Sequence, residues 1–237
     1  MREGRYVWIL APLLVLAMAG CADDDKPLGV AEGGADSPAT VDLGSAASYG
    51  VVASTSVNNT GTTTIHGDLG VDPGNTLTGS PTVTGDTDLD NAASADAQTD
   101  LQAAFDDAES RATGAITITE DMAGLSIGPG LYTANQLTNS GIVTLNGLGD
   151  STAVFIFQSD SGLTAQADSR ILLDNGARAE NVFWVVGTSA TLGSDSEWVG
   201  TILADDSITL QSGATLLGRA LSQSGSVTLD TNVITVP

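Results

Sequence analysis

The chain has 237 residues, with 29 Asp and Glu against 7 Lys and Arg, a formal net charge of -22, 4% aromatic residues and 28 glycines. Such an acidic field repels nucleic-acid phosphates and anionic lipid head groups, which excludes nucleic acid as a partner. A single cysteine excludes an internal disulfide, and the length suits one domain behind a processed leader.

Residues 1–20 read as a signal peptide of the lipoprotein type. Arg2 and Arg5 precede an apolar run from Tyr6 to Met18 that is too short to span a bilayer comfortably. The run ends Met18-Ala19-Gly20-Cys21, which resembles a bacterial lipobox with Met18 where Leu is usual. Cys21 is then the acylated residue that opens the mature chain, and its lipid is the expected route to a membrane. Residues 21–40 are acidic, rich in Gly and Pro and without apolar period, so they predict a disordered tether. The expected location is outside the cytoplasm, lipid-anchored at the cell envelope or surface, otherwise secreted.

The folded domain is expected over residues 41–237. Residues 43–55, 57–74 and 80–90 alternate small, polar and apolar side chains and predict short strands. Their turns fall at Asn58-Asn59, Gly67-Asp68 and Asp72-Pro73-Gly74. Residues 91–112 break the pattern. Leu101, Ala104, Phe105, Ala108 and Ala112 form one apolar stripe at helical spacing, with Asp90 or Asn91 to cap its start and Gly114 to end it. A stripe made mostly of alanine lets the helix lie close against another surface. Two non-alternating apolar segments, Val154-Phe-Ile-Phe157 and Val182-Phe-Trp-Val-Val186, read as strands buried on both sides and as that surface.

Strands resume at 116 and become repetitive between Val182 and Val233. Gly200 in VGTILA aligns with Gly218 in LGRALS, and Thr191-Leu192, Thr209-Leu210 and Thr228-Leu229 recur, all at a period of about 18 residues. A fixed period of this size predicts a solenoid whose turns bury their apolar side only by stacking on neighbours. Strand side chains alternate, so inward Ile208 and Leu210 force Ser207 and Thr209 outward. The same logic turns Ser189, Thr191, Ser226 and Thr228 outward, with Thr144, Thr164, Thr62 and Thr64 as further members. The predicted surface is an array of hydroxyls and methyls almost without charge, of the kind that orders water. Thr is also a good β residue wherever a strand faces solvent, so each single Thr has a purely structural explanation; the repetition of the column is what points to function.

Four stretches carry a resemblance: NNTGTTTIHGDLGVDPG (58–74), GPGLYTANQLTNSGIVTLNGLGD (128–150), AVFIFQ (153–158) and the repeat over 181–232. They resemble the DUF3494 ice-binding proteins of cold-adapted microbes, over nearly all of residues 41–237. The resemblance implies a mainly β fold, an irregular right-handed β-helix (solenoid) of triangular section with one long α-helix packed alongside. It also implies that one flat Thr/Ser-rich face binds the ice crystal surface and inhibits growth or recrystallisation. The residues themselves lead to the expectation of no catalysis, no cofactor and a monomer. Thr60-Gly61-Thr62-Thr63, Thr188-Ser189-Ala190-Thr191 and Ser161-Gly162-Leu163-Thr164 come near the strand motif of some members. Asp206-Ser207-Ile208-Thr209 departs from it by opening with an acid, and Gly225-Ser226-Val227-Thr228 by opening with glycine.

The rival readings are weaker. Asp86-Thr-Asp88-Leu-Asp90 starts like a calcium loop but has Asn91 where glycine is needed and Ala97 where glutamate is needed, so a helix-entry turn is expected. Solenoid enzymes that cleave polysaccharides use clustered acids in a groove, whereas the domain's Arg111, Arg170, Arg178 and Arg219 are scattered and its acids do not cluster in an evident groove. His66, the sole histidine, has no evident partners for a triad or a zinc site. The main alternative is a cell-surface adhesion or structural module that contacts glycans or cells. Sugar stacking wants exposed aromatics; Trp184 reads as buried, which leaves Trp198 and Tyr132.

Overall fold

The structure is a computed structural model that describes residues 37–237. The leader, Cys21 and most of the expected tether lie outside the described residues. From Tyr49 onward the chain winds through short parallel strands, three to a coil, that build three walls around one apolar interior.

The first wall lies under the helix. Its central strands are Gly130–Ala134, Phe155–Ser159, Val182–Val186, residues 201–204, residues 219–222 and Tyr49–Ala53. These strands are buried on both sides because one side faces the interior and the other the helix. Inward, Tyr132, Phe157 and Trp184 share one register position and stack, with ring centroids 5.1 and 4.2 Å apart. Trp198 joins from another wall at 4.9 Å. Outward, Leu131, Ile156, Phe183, Val185, Leu203, Leu221 and Val52 form a second core with the helix.

That helix, α1 (Ala92–Ser110), buries Ala97, Leu101, Ala104, Phe105 and Ala108. It is two residues shorter at its end than the apolar stripe predicts: the chain is extended at Arg111 and leaves Ala112 exposed. Asn91 caps the start. Its side chain accepts from Ser94 N at 3.0 Å, and Ser94 Oγ accepts from Asn91 N at 3.0 Å. Asp88, the middle acid of the calcium-like run, is engaged at this entry turn, accepting from the Tyr49 hydroxyl (2.8 Å) and the Asn91 amide (2.9 Å). Residues 37–40, assigned above to the tether, are held against the far end of α1. Ser37 Oγ accepts from Val154 N at 2.8 Å, and the Arg111 guanidinium donates to the carbonyls of Ala39 and Thr40.

Two eight-residue strands, Glu197–Ala204 and Thr215–Ser222, turn a corner and link the helix-side wall to a second wall in one 15-stranded sheet. The corner is made at Gly200 and Gly218, which pair directly across the strands. Gly200 has φ +103, and a Cβ on Gly218 would lie 1.9 Å from the Gly200 carbonyl oxygen, so only hydrogen fits. The aligned glycines of the sequence repeat are therefore stacked corner pieces.

The third wall is a separate seven-stranded sheet. Its spatial order is Leu137–Asn139, Leu163–Ala165, Ala190–Leu192, Ile208–Leu210, Val227–Asp230, Ser56–Thr60 and Thr76–Thr78. The first coil of the domain thus stacks on the last, and the C-terminal coil lies inside the array.

Candidate functional site

The seven-stranded sheet alternates strictly. Leu137, Leu163, Ala190, Ile208, Val227 and Val57 are buried beside one another, and so are Ala165, Leu192, Leu210, Leu229 and Asn59. Between these two inward rows stands one outward column: Thr138, Thr164, Thr191, Thr209, Thr228, Asn58 and Thr78, paired position by position without a register shift. Adjacent strands are about 4.8 Å apart, so seven of them extend the column over roughly 29 Å.

Two residues before the column, Ser189, Ser207 and Ser226 continue the hydroxyl array, joined by Ser56 and Thr76. Ser207 and Ser226 Oγ lie 3.5 Å apart. The hydroxyls of Thr138, Thr164, Thr191, Thr209 and Thr228 have no protein partner among the described residues, whereas Asn58 donates to Ser56 Oγ (3.0 Å) and accepts from Thr78 Oγ1 (3.3 Å). The threonines are partly exposed, packed shoulder to shoulder with their neighbours. Within the seven strands the charged residues reduce to Asp230 at one strand's end, where it accepts from Thr231 Oγ1 at 3.0 Å. Asp206 sits in the turn before this sheet. Its carboxylate accepts from Ser207 Oγ (3.1 Å) and Ser189 Oγ (3.5 Å), so it ties down two hydroxyls at the margin of the array and leaves the threonine column untouched.

Of the ten residues that the alternation nominates, seven come together on this sheet: Thr164, Thr191, Thr209, Thr228, Ser189, Ser207 and Ser226. Three do not. Thr64 pairs with Val233 and Thr82, and Thr144 with Ser126 and Leu172, both on the second wall. Thr62 lies exposed in the turn between Ser56–Thr60 and Thr64–His66. The reason is that every outward threonine of a solenoid reads alike along the chain; only its cross-strand partner tells which wall it belongs to. Conversely, Thr138, Asn58 and Thr78 belong to the column and were not nominated. Thr138 follows Leu137 as Thr164 follows Leu163, a signal that was available in the sequence. Asn58 and Thr78 join only because the first coils stack beyond the last one, which no local pattern announces.

Trp198 and Tyr132, the two aromatics left for sugar stacking, are 1% and 2% exposed and belong to the interior. Burial pushes the Tyr132 phenol up to about 12, and its hydroxyl donates to Gly128 O at 2.8 Å. Arg219, one of the scattered arginines, is buried under the 3-10 turn Gly44–Ser48, where Nε donates to Ala47 O at 2.8 Å and Nη1 to Thr201 Oγ1 at 3.3 Å. Burial lowers its pKa, as expected for a desolvated cation.

Comparison with known proteins identifies the fold and the family. Residues 51–235 match the family model described as Ice-binding-like. An ice-binding protein of Nostoc sp. (strain HG1) is 41% identical over 198 residues, covering 81% of this chain and 72% of the relative. The crystal structure of an ice binding protein from an Antarctic biological consortium superposes with a TM-score of 0.83 at 39% identity, over 84% of this chain and 92% of that one. That of the Antarctic ascomycete Antarctomyces psychrotrophicus gives 0.79 at 38% identity, over 84% and 99%. With the family model matching more than half of its length and the fold in common with these structures, the chain belongs to the ice-binding-like family.

Proposed function

We propose that this protein binds ice through the seven-stranded sheet and thereby inhibits ice growth or recrystallisation. The observation that carries the reading is the uninterrupted column Thr138, Thr164, Thr191, Thr209, Thr228 on a charge-poor sheet of a molecule with net charge -22. Each threonine offers a methyl that cages water and a hydroxyl that anchors it. In-register repetition holds these groups on one lattice before any ice arrives, so little entropy is lost when the water layer they order merges with the crystal. Adsorbed molecules pin the ice front, and its curvature between them lowers the local freezing point. No bond is made or broken, and no cofactor enters this role.

The test is thermal hysteresis and recrystallisation inhibition by the wild-type protein and by a Thr191→Tyr/Thr209→Tyr variant. Activity in the wild type and its loss in the folded variant is the expected result. An inactive wild type would overturn the function, and an equally active variant would overturn the face. As a further part of the reading, the protein acts as a monomer outside the cytoplasm, carried by a lipid on Cys21 of the lipobox-like Met18-Ala19-Gly20-Cys21. Replacement of Cys21 by Ser is expected to move the protein from the membrane to the soluble fraction, and retention in the membrane would refute the anchor.

A further inference from the structure

The second wall, the one that holds Thr64 and Thr144, carries its charges in one half only, while exposed apolar side chains stand in both, Ile142 and Leu172 in the charged half. In spatial order it runs Ser126–Ile127, Ile142–Asn146, Arg170–Asp174, residues 197–199, residues 215–217, Val233–Thr235, Thr64–His66 and Thr82–Val83. The charges gather in the first half: Arg170 and Glu197 form an ion pair at 3.2 Å, and Asp174 lies on the same strand as Arg170. Beyond Glu197 they stop. One outward column reads Thr215, Val233, Thr64, Thr82, and the next reads Leu217, Thr235, His66. Leu217 and Val233 are 40% and 43% exposed. This half-wall adjoins the threonine sheet around a corner built of Gln211-Ser212-Gly213, Asp230-Thr231-Asn232, Gly61-Thr62-Thr63 and Gly79-Ser80-Pro81. Asp230 is the single acid in it.

We propose that this half-wall is a second ice contact that meets a different crystal plane from the threonine sheet. The proposal rests on the reading that the protein binds ice. Three observations support this occupant over others. The surface shares its chemistry with the threonine column: hydroxyls and branched methyls in register, in a molecule whose charges are placed elsewhere. Exposed Leu and Val are unfavourable in liquid water, and ordered water around methyls is what an ice contact uses. The surface is continuous with the threonine sheet around a corner nearly free of charge, so one molecule can seat both walls where two growth fronts meet. The half-wall beyond Glu197 offers a charged macromolecule no carboxylate, lysine or arginine, and the hollow that opens on it, lined by Thr215, Leu217, Val233 and Thr235 with Glu197 at its margin, is only about 300 Å³.

The experiment is plane staining. A single-crystal ice hemisphere is grown in the fluorescently labelled full chain, as wild type, as Thr64→Tyr/Val233→Tyr and as Thr191→Tyr/Thr209→Tyr. Near-ultraviolet circular dichroism from the buried tryptophan stack confirms that each variant is folded, and Thr64→Lys/Val233→Lys serves as a second pair should the tyrosines disturb packing. The expected result is that the Thr64/Val233 variants lose one set of stained planes and keep another, while the Thr191/Thr209 variant loses the complementary set. If the Thr64/Val233 variants stain every plane that the wild type stains, this inference fails and the threonine sheet stands alone. If the wild type stains no plane, the ice reading itself fails. Sedimentation covers the remaining occupant: a concentration-dependent dimer of the wild type that the Thr64/Val233 substitutions abolish would assign the patch to a second copy of the chain and overturn the proposal.

Discussion

A threonine on the central column does two jobs with two separable groups. Thr191→Val keeps the branched shape and removes the hydroxyl; Thr191→Ser keeps the hydroxyl and removes the methyl. Because the Thr191 hydroxyl has no protein partner, either change is expected to alter folding stability by less than about 0.5 kcal/mol while reducing thermal hysteresis. Thermal melts beside hysteresis measurements check this, and a change in melting without a change in hysteresis would show Thr191 to be mere scaffold. The buried phenol of Tyr132 makes a different prediction. Its pKa is raised from 10.0 to about 12, so the neutral form is the one the fold prefers. The unfolded chain then loses its proton first, and stability that is complete below pH 10 is lost as pH rises from 10 to 12. Tyr49, also raised by burial and by the nearby Asp88 carboxylate, adds to the same alkaline slope. Tyr132→Phe is expected to flatten part of that slope in denaturant titrations between pH 9 and pH 12. At this scale the sequence was a good guide to direction and a poor one to location. Alternation with Ile208 and Leu210 was enough to turn Ser207 and Thr209 outward. It turned Thr144 and Thr64 outward just as correctly, but onto another wall, because a period of two carries no information about which sheet a strand joins.

Among the elements, α1 shows how much a modest stripe can do when its partner is right. Alanines at 97, 104 and 108 let the helix approach closely enough for Leu101 and Phe105 to reach Phe183, Leu203 and their neighbours. Replacing Phe105 by Ala is expected to cost about 3–5 kcal/mol, and Asn91→Ala about 1 kcal/mol through the lost cap, both readable by chemical denaturation. The helix end is secured from outside. Gln158 Nε2 lies within hydrogen-bond reach of the carbonyls of Ala108 (2.6 Å), Glu109 (3.1 Å) and Arg111 (2.8 Å), acceptors that a helix terminus leaves unpaired. This contact serves the carbonyls of a helix that ends at Ser110, although the apolar stripe runs on to Ala112. The sequence shows the stripe; the amide that meets the helix's free carbonyls comes from a strand about 50 residues away, beyond the reach of any local rule. The corner glycines make the opposite case, since their alignment in the repeat was legible and the structure supplies the reason. Gly218→Ala is expected to destabilise by more than about 3 kcal/mol, because the added carbon meets backbone rather than a side chain that can move aside. A variant that melts like the wild type would show that the corner can open.

For the whole molecule, the informative feature is the order of the coils. Residues 219–235 lie between the coil that precedes them and the coil that starts at Tyr49. Removal of residues 226–237 would therefore take a strand from the middle of the seven-stranded sheet, separating Ile208–Leu210 from Ser56–Thr60. The expected outcome is global loss of cooperative unfolding rather than local fraying, and a truncated chain that melts as sharply as the full one would refute this. The period of about 18 residues made the solenoid readable from the sequence, since each coil repeats its neighbour. It could not reveal that the series is joined head to tail, because the pairing of Val57 with Val227 spans most of the domain and leaves no local trace.

That ordering has a consequence for synthesis. While the final coil is still inside the ribosome, the emerged chain holds two half-stacks whose facing edges are open, and open strand edges invite pairing with other chains. Until residues 219–235 have emerged the threonine column stays in two pieces, which become one surface when the strand Val227–Asp230 inserts between them. A chain stalled before residue 219 thus offers the column only in two separate pieces, Thr138 to Thr209 and Asn58 with Thr78.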